Sequence, residues 1–171
     1  KTLKYKETDV VTPLATAKMN LPIDNIVIGT VFRAGLPFHQ GFIDIFDKAG
    51  NAFLSAYRYY TDRECNNIDV HIEYIATPDL YKKTFILVDP MLATGESIIL
   101  AHKAFVTRGV PKKIILASVI ATEQGIARLH EKFPNTNIVL YTAAIDPILN
   151  DHKYIVPGLG DAGDLMYGEK L

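Results

Sequence analysis

The sequence predicts an α/β domain, with a central, mostly parallel sheet flanked by helices and a small hood or arm inserted into it. Three observations lead there. Apolar runs about as long as a buried strand recur along the chain, and several are rich in β-branched residues. Stretches with helical spacing and glycine or proline stops lie between them. Strands that alternate with helices build a parallel sheet covered on both faces.

The elements follow in order. "IVIGTVF" from Ile26 is the first buried strand, and "PFHQGFIDIFDKAG" (Pro37 to Gly50) reads as a helix closed by a glycine. "FLSAYRYY" from Phe53 is the next strand. The segment 60–83 breaks the rhythm: "YTDRECNNID" is polar, and "VHIEYIA" then alternates like an exposed strand. We read 60–83 as an insertion, either a hood over the site or a hairpin arm. "FILV" from Phe85 returns to the buried pattern, followed by a helix over "SIILAHKAFVTRG" (Ser97 to Gly109). "IILASVIA" from Ile114, the helix "EQGIARLHEKFP" (Glu123 to Pro134) and "IVLY" from Ile138 complete the alternation. The C-terminal segment from Asp151, "DHKYIVPGLGDAGDLMYGEKL", has no regular period. It is rich in Gly and Asp, and apolar residues Tyr154, Ile155, Val156 and Leu159 give it anchorage, which predicts a functional loop.

Length and composition bound the function. At 171 residues and 49% hydrophobic, 1–171 reads as one domain able to bury a core without disulfides or structural metal. Cys65 is the only cysteine, which fits a reducing, cytoplasmic setting and forbids an internal disulfide. No run approaches the length of a membrane span, and "KTLKYKETD" lacks the apolar centre of a signal peptide. The net charge is −1 with charges dispersed, so no basic footprint for nucleic acid or an anionic membrane is present. The five histidines, His39, His71, His102, His130 and His152, show no metal-ligand spacing. A small polar ligand is the default expectation.

In such a sheet ligands sit beyond the carboxyl ends of the strands. "FILVDPMLATGES" (Phe85 to Ser97) therefore draws the eye. Asp89 ends the strand, Pro90 stops the ladder, and the Thr94-Gly95-Glu96-Ser97 turn opens a helix. Backbone N–H groups at a helix N-terminus favour an anion, with Thr94 and Ser97 adding hydroxyls and Gly95 allowing close approach. A carboxylate beside a phosphate site suits sugar hydroxyls. The pair of features fits a ribose whose 5-phosphate lies in the turn. The competing reading is an ordinary cap, with Thr94 or Ser97 capping and Glu96 favouring the helix dipole. G-x-x-x-x-G-K-[ST] does not occur in the chain, and this turn carries no G-x-G-x-x-G.

"VDPMLATGES" resembles the phosphoribosyl-diphosphate signature of the uracil phosphoribosyltransferases, and "YIVPGLGDAGD" resembles their uracil-binding loop. "VFRAGLP" (Val31 to Pro37) and "YTAAIDPILN" (Tyr141 to Asn150) are similar to two further stretches of that family, and the likeness runs from about Val11 to Tyr167. The resemblance implies a type I phosphoribosyltransferase-like fold. It also implies transfer of the phosphoribosyl group from 5-phosphoribosyl 1-diphosphate to uracil, giving uridine monophosphate and pyrophosphate in pyrimidine salvage. Asp89, Pro90, Met91, Leu92, Ala93, Thr94, Gly95, Glu96 and Ser97 would hold the ribose phosphate, with Arg33, Arg58 and Asp161 also contacting the donor. Arg58 and Asp161 would be the catalytic residues. Ile155, Gly160, Asp161 and Ala162 would bind uracil, within a loop spanning 152–168. The family further implies unusual backbone geometry at Arg33-Ala34, magnesium carried mainly by the phosphoribosyl diphosphate with no protein metal site, and a homodimer or higher homo-oligomer.

The sequence departs from that pattern in places. Glu96 stands where glycine is usual, Tyr59 follows Arg58 where an Asp is usual, and Leu165 replaces a common arginine. "IEYIATP" replaces a stretch that normally carries a lysine. A rival reading is a regulator that binds phosphoribosyl diphosphate or a nucleotide and controls RNA without catalysis. It would need a basic face that this chain lacks. A purine or orotate enzyme of the same fold would lack the "VPGLGDAGD" loop.

Overall fold

The computed structural model describes residues 3–60, 68–134 and 138–169; for 56–60 and 68–71 the description is of the backbone alone. The chain runs β1 (Tyr5–Val11), β2 (Thr16–Pro22), β3 (Ile26–Val31), α1 (Leu36–Ile45), β4 (Gly50–Tyr60), β5 (Ile68–Ala76), β6 (Thr84–Val88) and β7 (Met91–Leu92). It continues with α2 (Glu96–Val106), β8 (Lys113–Thr122), α3 (Glu123–Lys132), β9 (Ile138–Asp146), β10 (Ile148–Leu149), β11 (Ile155–Val156) and α4 (Ala162–Tyr167).

The main sheet has the order β5-β4-β3-β6-β8-β9, with β7 continuing the line of β6 along β8. Every pairing from β4 to β9 is parallel, and only β5 at the edge is antiparallel. Alternation within the strands feeds two cores. Val27, Phe85, Leu87 and Leu116 face Ile98 and Phe105 of α2 and Leu129 of α3. Ile26, Ile28, Ile86, Val88 and Ile115 face Phe38 and Phe42 of α1 and Phe46 just beyond it. The Phe85 and Phe105 rings meet edge-on, centroids 5.1 Å apart.

The central strands lie where the apolar runs predict them. Three elements differ. α1 stops at Ile45, because Gly50 already begins β4. The hairpin β1–β2 was not foreseen, since its residues are almost all exposed and carry no apolar period. The C-terminal segment is not without regular structure: β11 pairs with β10, and α4 follows with Asp161 as its N-cap. Within 60–83, β5 pairs antiparallel with β4; the polar stretch 61–67 lies outside the described residues. Because β3, β4, β6, β8 and β9 run parallel, the loops after Val31, Val88 and Asp146 gather at one edge of the sheet.

Candidate active site

Two cavities open at that edge. The first, about 250 Å³, is lined by Met91, Leu92, Ala93, Thr94, Gly95 and Ile98, together with His152. The second, about 300 Å³, is lined by Val31 to Ala34 and Gly160 to Gly163, together with Tyr154. Asp89, Met91, Ser97 and Lys153 line both, so the cavities meet at those residues.

The turn of the first cavity is built by the backbone. The Asp89 amide donates to Ala117 O (3.0 Å), and the buried Pro90 carbonyl accepts from the Val119 and Ile120 amides, each 3.1 Å away. Ala93 O accepts from the buried Thr122 hydroxyl at 2.6 Å, and Thr122 Oγ1 in turn accepts from the Gly125 amide at 2.9 Å. Thr122 is thus at once the N-cap of α3 and a strut under the turn at Ala93. Gly125 makes the strut possible: a Cβ there would lie 2.4 Å from Ala93 O. Sequence reasoning missed both residues. The only local signal is a cap pattern, and the contact to Ala93 spans the fold.

The cap of α2 bears on the two readings of Thr94-Gly95-Glu96-Ser97. Gly95 is the N-cap, in the left-handed region at φ 77°, and no side chain caps the helix. The Thr94 hydroxyl reaches the Glu96 amide only at 3.5 Å, and the Ser97 side chain is exposed and lines both cavities. The hydroxyls therefore remain available to a ligand at the positive end of the helix. Glu96 turns away to α3, with 3.2 Å between its Oε1 and Arg128 Nη2, and does not line either cavity. Pro90 shapes the turn through its carbonyl and is likewise absent from both linings.

Asp89 stands between the cavities. Its Oδ1 accepts the Met91 amide at 3.1 Å. Burial pushes the carboxyl up from its ordinary value to about 6, against the lowering effect of that hydrogen bond. The low-dielectric position makes this group respond to a ligand that offers hydroxyl donors.

In the second cavity the sequence-predicted residues come together unevenly. Gly160, Asp161 and Ala162 line it together with Arg33 and Ala34, while Ile155, 2% exposed, does not line it. Asp161 Oδ1 accepts the Asp164 amide at 2.9 Å, so its carboxylate caps α4 and faces the cavity. Arg33 reaches across to α4: its Nη2 donates to Asp164 Oδ1 at 2.6 Å and to Gly168 O at 3.1 Å, and it lies over the Tyr167 ring. The unusual peptide bond falls one residue earlier than expected, as a cis bond between Phe32 and Arg33. The backbone of Arg58 sits in β4 opposite Val70, and its side chain lies outside the described residues.

Polar side chains fold the loop over this cavity. Asp146 Oδ2, at the end of β9, accepts the Gly158 amide at 3.0 Å. Asn150 Oδ1 accepts the His152 and Tyr154 amides at 3.1 and 2.9 Å. Among the described residues no group of three or more His, Cys, Asp or Glu gathers as a metal cage. No helix among them is long and apolar enough to cross a membrane.

A mostly parallel sheet flanked by helices, with two cavities beyond the carboxyl ends of its strands, is the type I phosphoribosyltransferase fold. Solved structures share that fold. A purine phosphoribosyltransferase of Pyrococcus horikoshii superposes with a TM-score of 0.52 at 18% identity, over 72% of this chain and 70% of its own. A protein of Aquifex aeolicus superposes with a TM-score of 0.84 at 31% identity, over 100% and 79%. The chain belongs to the uracil phosphoribosyltransferase family, whose model matches residues 1–169. A uracil phosphoribosyltransferase of Porphyromonas gingivalis (strain ATCC 33277) is 55% identical over 95% of this chain and 74% of its own length. One from Pyrococcus furiosus is 38% identical over 100% and 72%.

Proposed function

We propose that this chain transfers the 5-phosphoribosyl group from 5-phosphoribosyl 1-diphosphate to uracil, releasing uridine monophosphate and pyrophosphate. The observation that carries the reading is the pair of cavities meeting at Asp89. One is floored by a phosphate turn, the other by a glycine-rich loop of backbone donors and acceptors. The 5-phosphate takes the Thr94–Ser97 turn, and the ribose hydroxyls donate to Asp89. Uracil lies along the loop of Ile155, Gly160, Asp161 and Ala162. Its two carbonyls and N–H are matched by backbone groups, and a base with a different pattern leaves buried polar groups unpaired.

The chemistry is displacement at C1 of the ribose: a bond from the uracil nitrogen forms as the bond to the diphosphate oxygen breaks. Positive charge grows on the sugar and negative charge on the leaving diphosphate. Arg33 and Arg58 serve the diphosphate, and Asp89 and Asp161 are the carboxylates nearest the sugar's positive charge. Magnesium, when bound with the donor, supplies charge neutralisation at the diphosphate. The residues present fit an ion held mainly by substrate oxygens and water, with Asp89 and Asp161 the carboxylates within the cavity. We further propose a cytoplasmic homo-oligomer, supported by the exposed apolar residues Tyr141, Ile145 and Ile148 along and just after β9.

Product formation from phosphoribosyl diphosphate and magnesium, with uracil, cytosine or hypoxanthine as base, tests the reading. Uridine monophosphate from uracil alone, lost in Asp161→Ala, is the expected result. Binding of the donor without product from any base sinks the catalytic reading in favour of a regulator.

A further inference from the structure

We infer that Lys153 is a donor-binding residue, its ammonium group lying over the junction of the two cavities and pairing with the phosphates of the phosphoribosyl donor. The inference rests on the function proposed above. Neither the phosphate turn nor the base loop, read as motifs, points to this lysine.

The charge balance of the site asks for such a group. A phosphoribosyl diphosphate carries phosphate charge at both ends of the sugar, so both cavities receive anions. The carboxylates of Asp89 and Asp161 line them, and both oppose those anions. Of the described lysines and arginines, only Arg33 and Lys153 line either cavity, and Lys153 alone lines both; His152 lines the first. Arg33 lines only the second cavity, and its Nη2 is shared with Asp164 and Gly168 O. Lys153 is exposed and makes no ion pair among the described residues.

Local geometry fixes where the side chain starts. Lys153 holds φ at 63°, a left-handed conformation that glycine would adopt at less cost. Its amide donates to Asn150 O at 2.8 Å, while Asn150 Oδ1 fixes the amides on either side of it. Lys82 shares the left-handed conformation at φ 58° in a turn outside both cavities, so the conformation alone decides nothing. The position does: a flexible cation on a fixed turn, at the one place where both ends of the donor come within reach. Because Tyr154 and Ile155 follow directly, the loop that reads the base also senses the donor.

Three variants separate charge from backbone. Lys153→Met keeps the length and removes the charge, Lys153→Arg keeps the charge, and Lys153→Gly removes the side chain while relaxing the turn. Donor affinity is measured by calorimetry with magnesium and no base, and the KM of each substrate by turnover. Loss of a charge-assisted contact in Lys153→Met weakens the donor roughly tenfold, whereas Lys153→Arg restores binding. Lys153→Gly binds the donor as weakly as the Met variant while unfolding at an equal or higher temperature. The KM for uracil at saturating donor stays near the native value. Native donor affinity in Lys153→Met or in Lys153→Gly overturns the inference while the phosphoribosyl reading stands. Failure of the native chain itself to bind the donor overturns both.

Discussion

The Thr94–Ser97 turn (the proposed phosphate turn) and the Gly160–Gly163 loop (the proposed base loop) line adjoining cavities, and they are held in different ways. Under the turn, the Pro90 and Ala93 carbonyls are tied to the Val119 and Ile120 amides and the buried Thr122 hydroxyl, all from the C-terminal end of β8. Over the base, exposed segments are tied by the side chains of Asp146 and Asn150 to the loop's own amides. One half is tied into the sheet by backbone hydrogen bonds and a buried hydroxyl. The other half hangs on a few hydrogen bonds near water, so it belongs to the low-stability end of the molecule, where ligand-binding loops are drawn from. On the function proposed, the donor would meet a site already shaped, and the base one that can adjust.

The sharpest way to break that contrast is to strike one support on each side. Gly125→Ala drives a Cβ to 2.4 Å from the Ala93 carbonyl, a backbone atom that cannot swing aside. Overpacking of this kind lowers stability by about 2–3 kcal/mol and displaces the phosphate turn, so the donor KM rises most. Asp146→Ala removes the acceptor of the Gly158 amide, 3.0 Å away. It costs about 1–2 kcal/mol, raises the uracil KM and leaves donor binding near native. Urea unfolding and the two KM values for each variant check this. A Gly125→Ala chain with normal stability and donor KM, or an Asp146→Ala chain that loses the donor first, erases the distinction.

Acid probes the place where the halves meet. Asp89 titrates at about 6 in the folded chain, above its ordinary value of 3.8. The folded state thus holds a proton that the unfolded chain has already released. That contribution to stability is full below 3.8 and lost as pH rises through about 6. Donor binding has the opposite sign, because the ionised carboxylate is the better acceptor for ribose hydroxyls. Donor affinity therefore falls as pH drops through about 6. The phosphates titrate in the same region, so Asp89→Asn is the reference. The expected outcome is a smaller acid loss in the variant together with weaker donor binding at neutral pH. Parallel profiles for the two proteins remove Asp89 from the sugar.

The same contrast governs what was legible in the sequence. β3, β6 and β8 are buried on both faces and announce themselves as apolar runs. The phosphate turn is legible because its function lies in backbone geometry, which Pro90 and Gly95 must encode locally. β1 and β2 are held by cross-strand bonds with little burial, so no apolar pattern marks them. α4 is too short, at six residues, to show a helical period. Thr122 under Ala93 and Arg33 on Asp164 are contacts between residues far apart in the chain, 29 and 131 positions. Nothing near either residue in sequence signals its partner.

Glu96 gives the smallest expected effect, and it measures how well the turn is insulated. A carboxylate in the first turn of α2 would repel a bound phosphate if it faced the cavity. It is instead within 3.2 Å of Arg128 on α3, and the side chains of the pair are 29% and 43% exposed. A partly solvated pair of this kind is worth about 0–1 kcal/mol. Glu96→Gln keeps the shape and removes the charge, so it lowers stability by less than about 1 kcal/mol, an effect that salt shrinks further. Donor affinity rises only slightly, because the charge removed points away from the phosphate and its field is already met by Arg128. A large gain in donor affinity, sensitive to salt, places the carboxylate on the phosphate side. The turn would then owe its shape to the ligand rather than to the core beneath it.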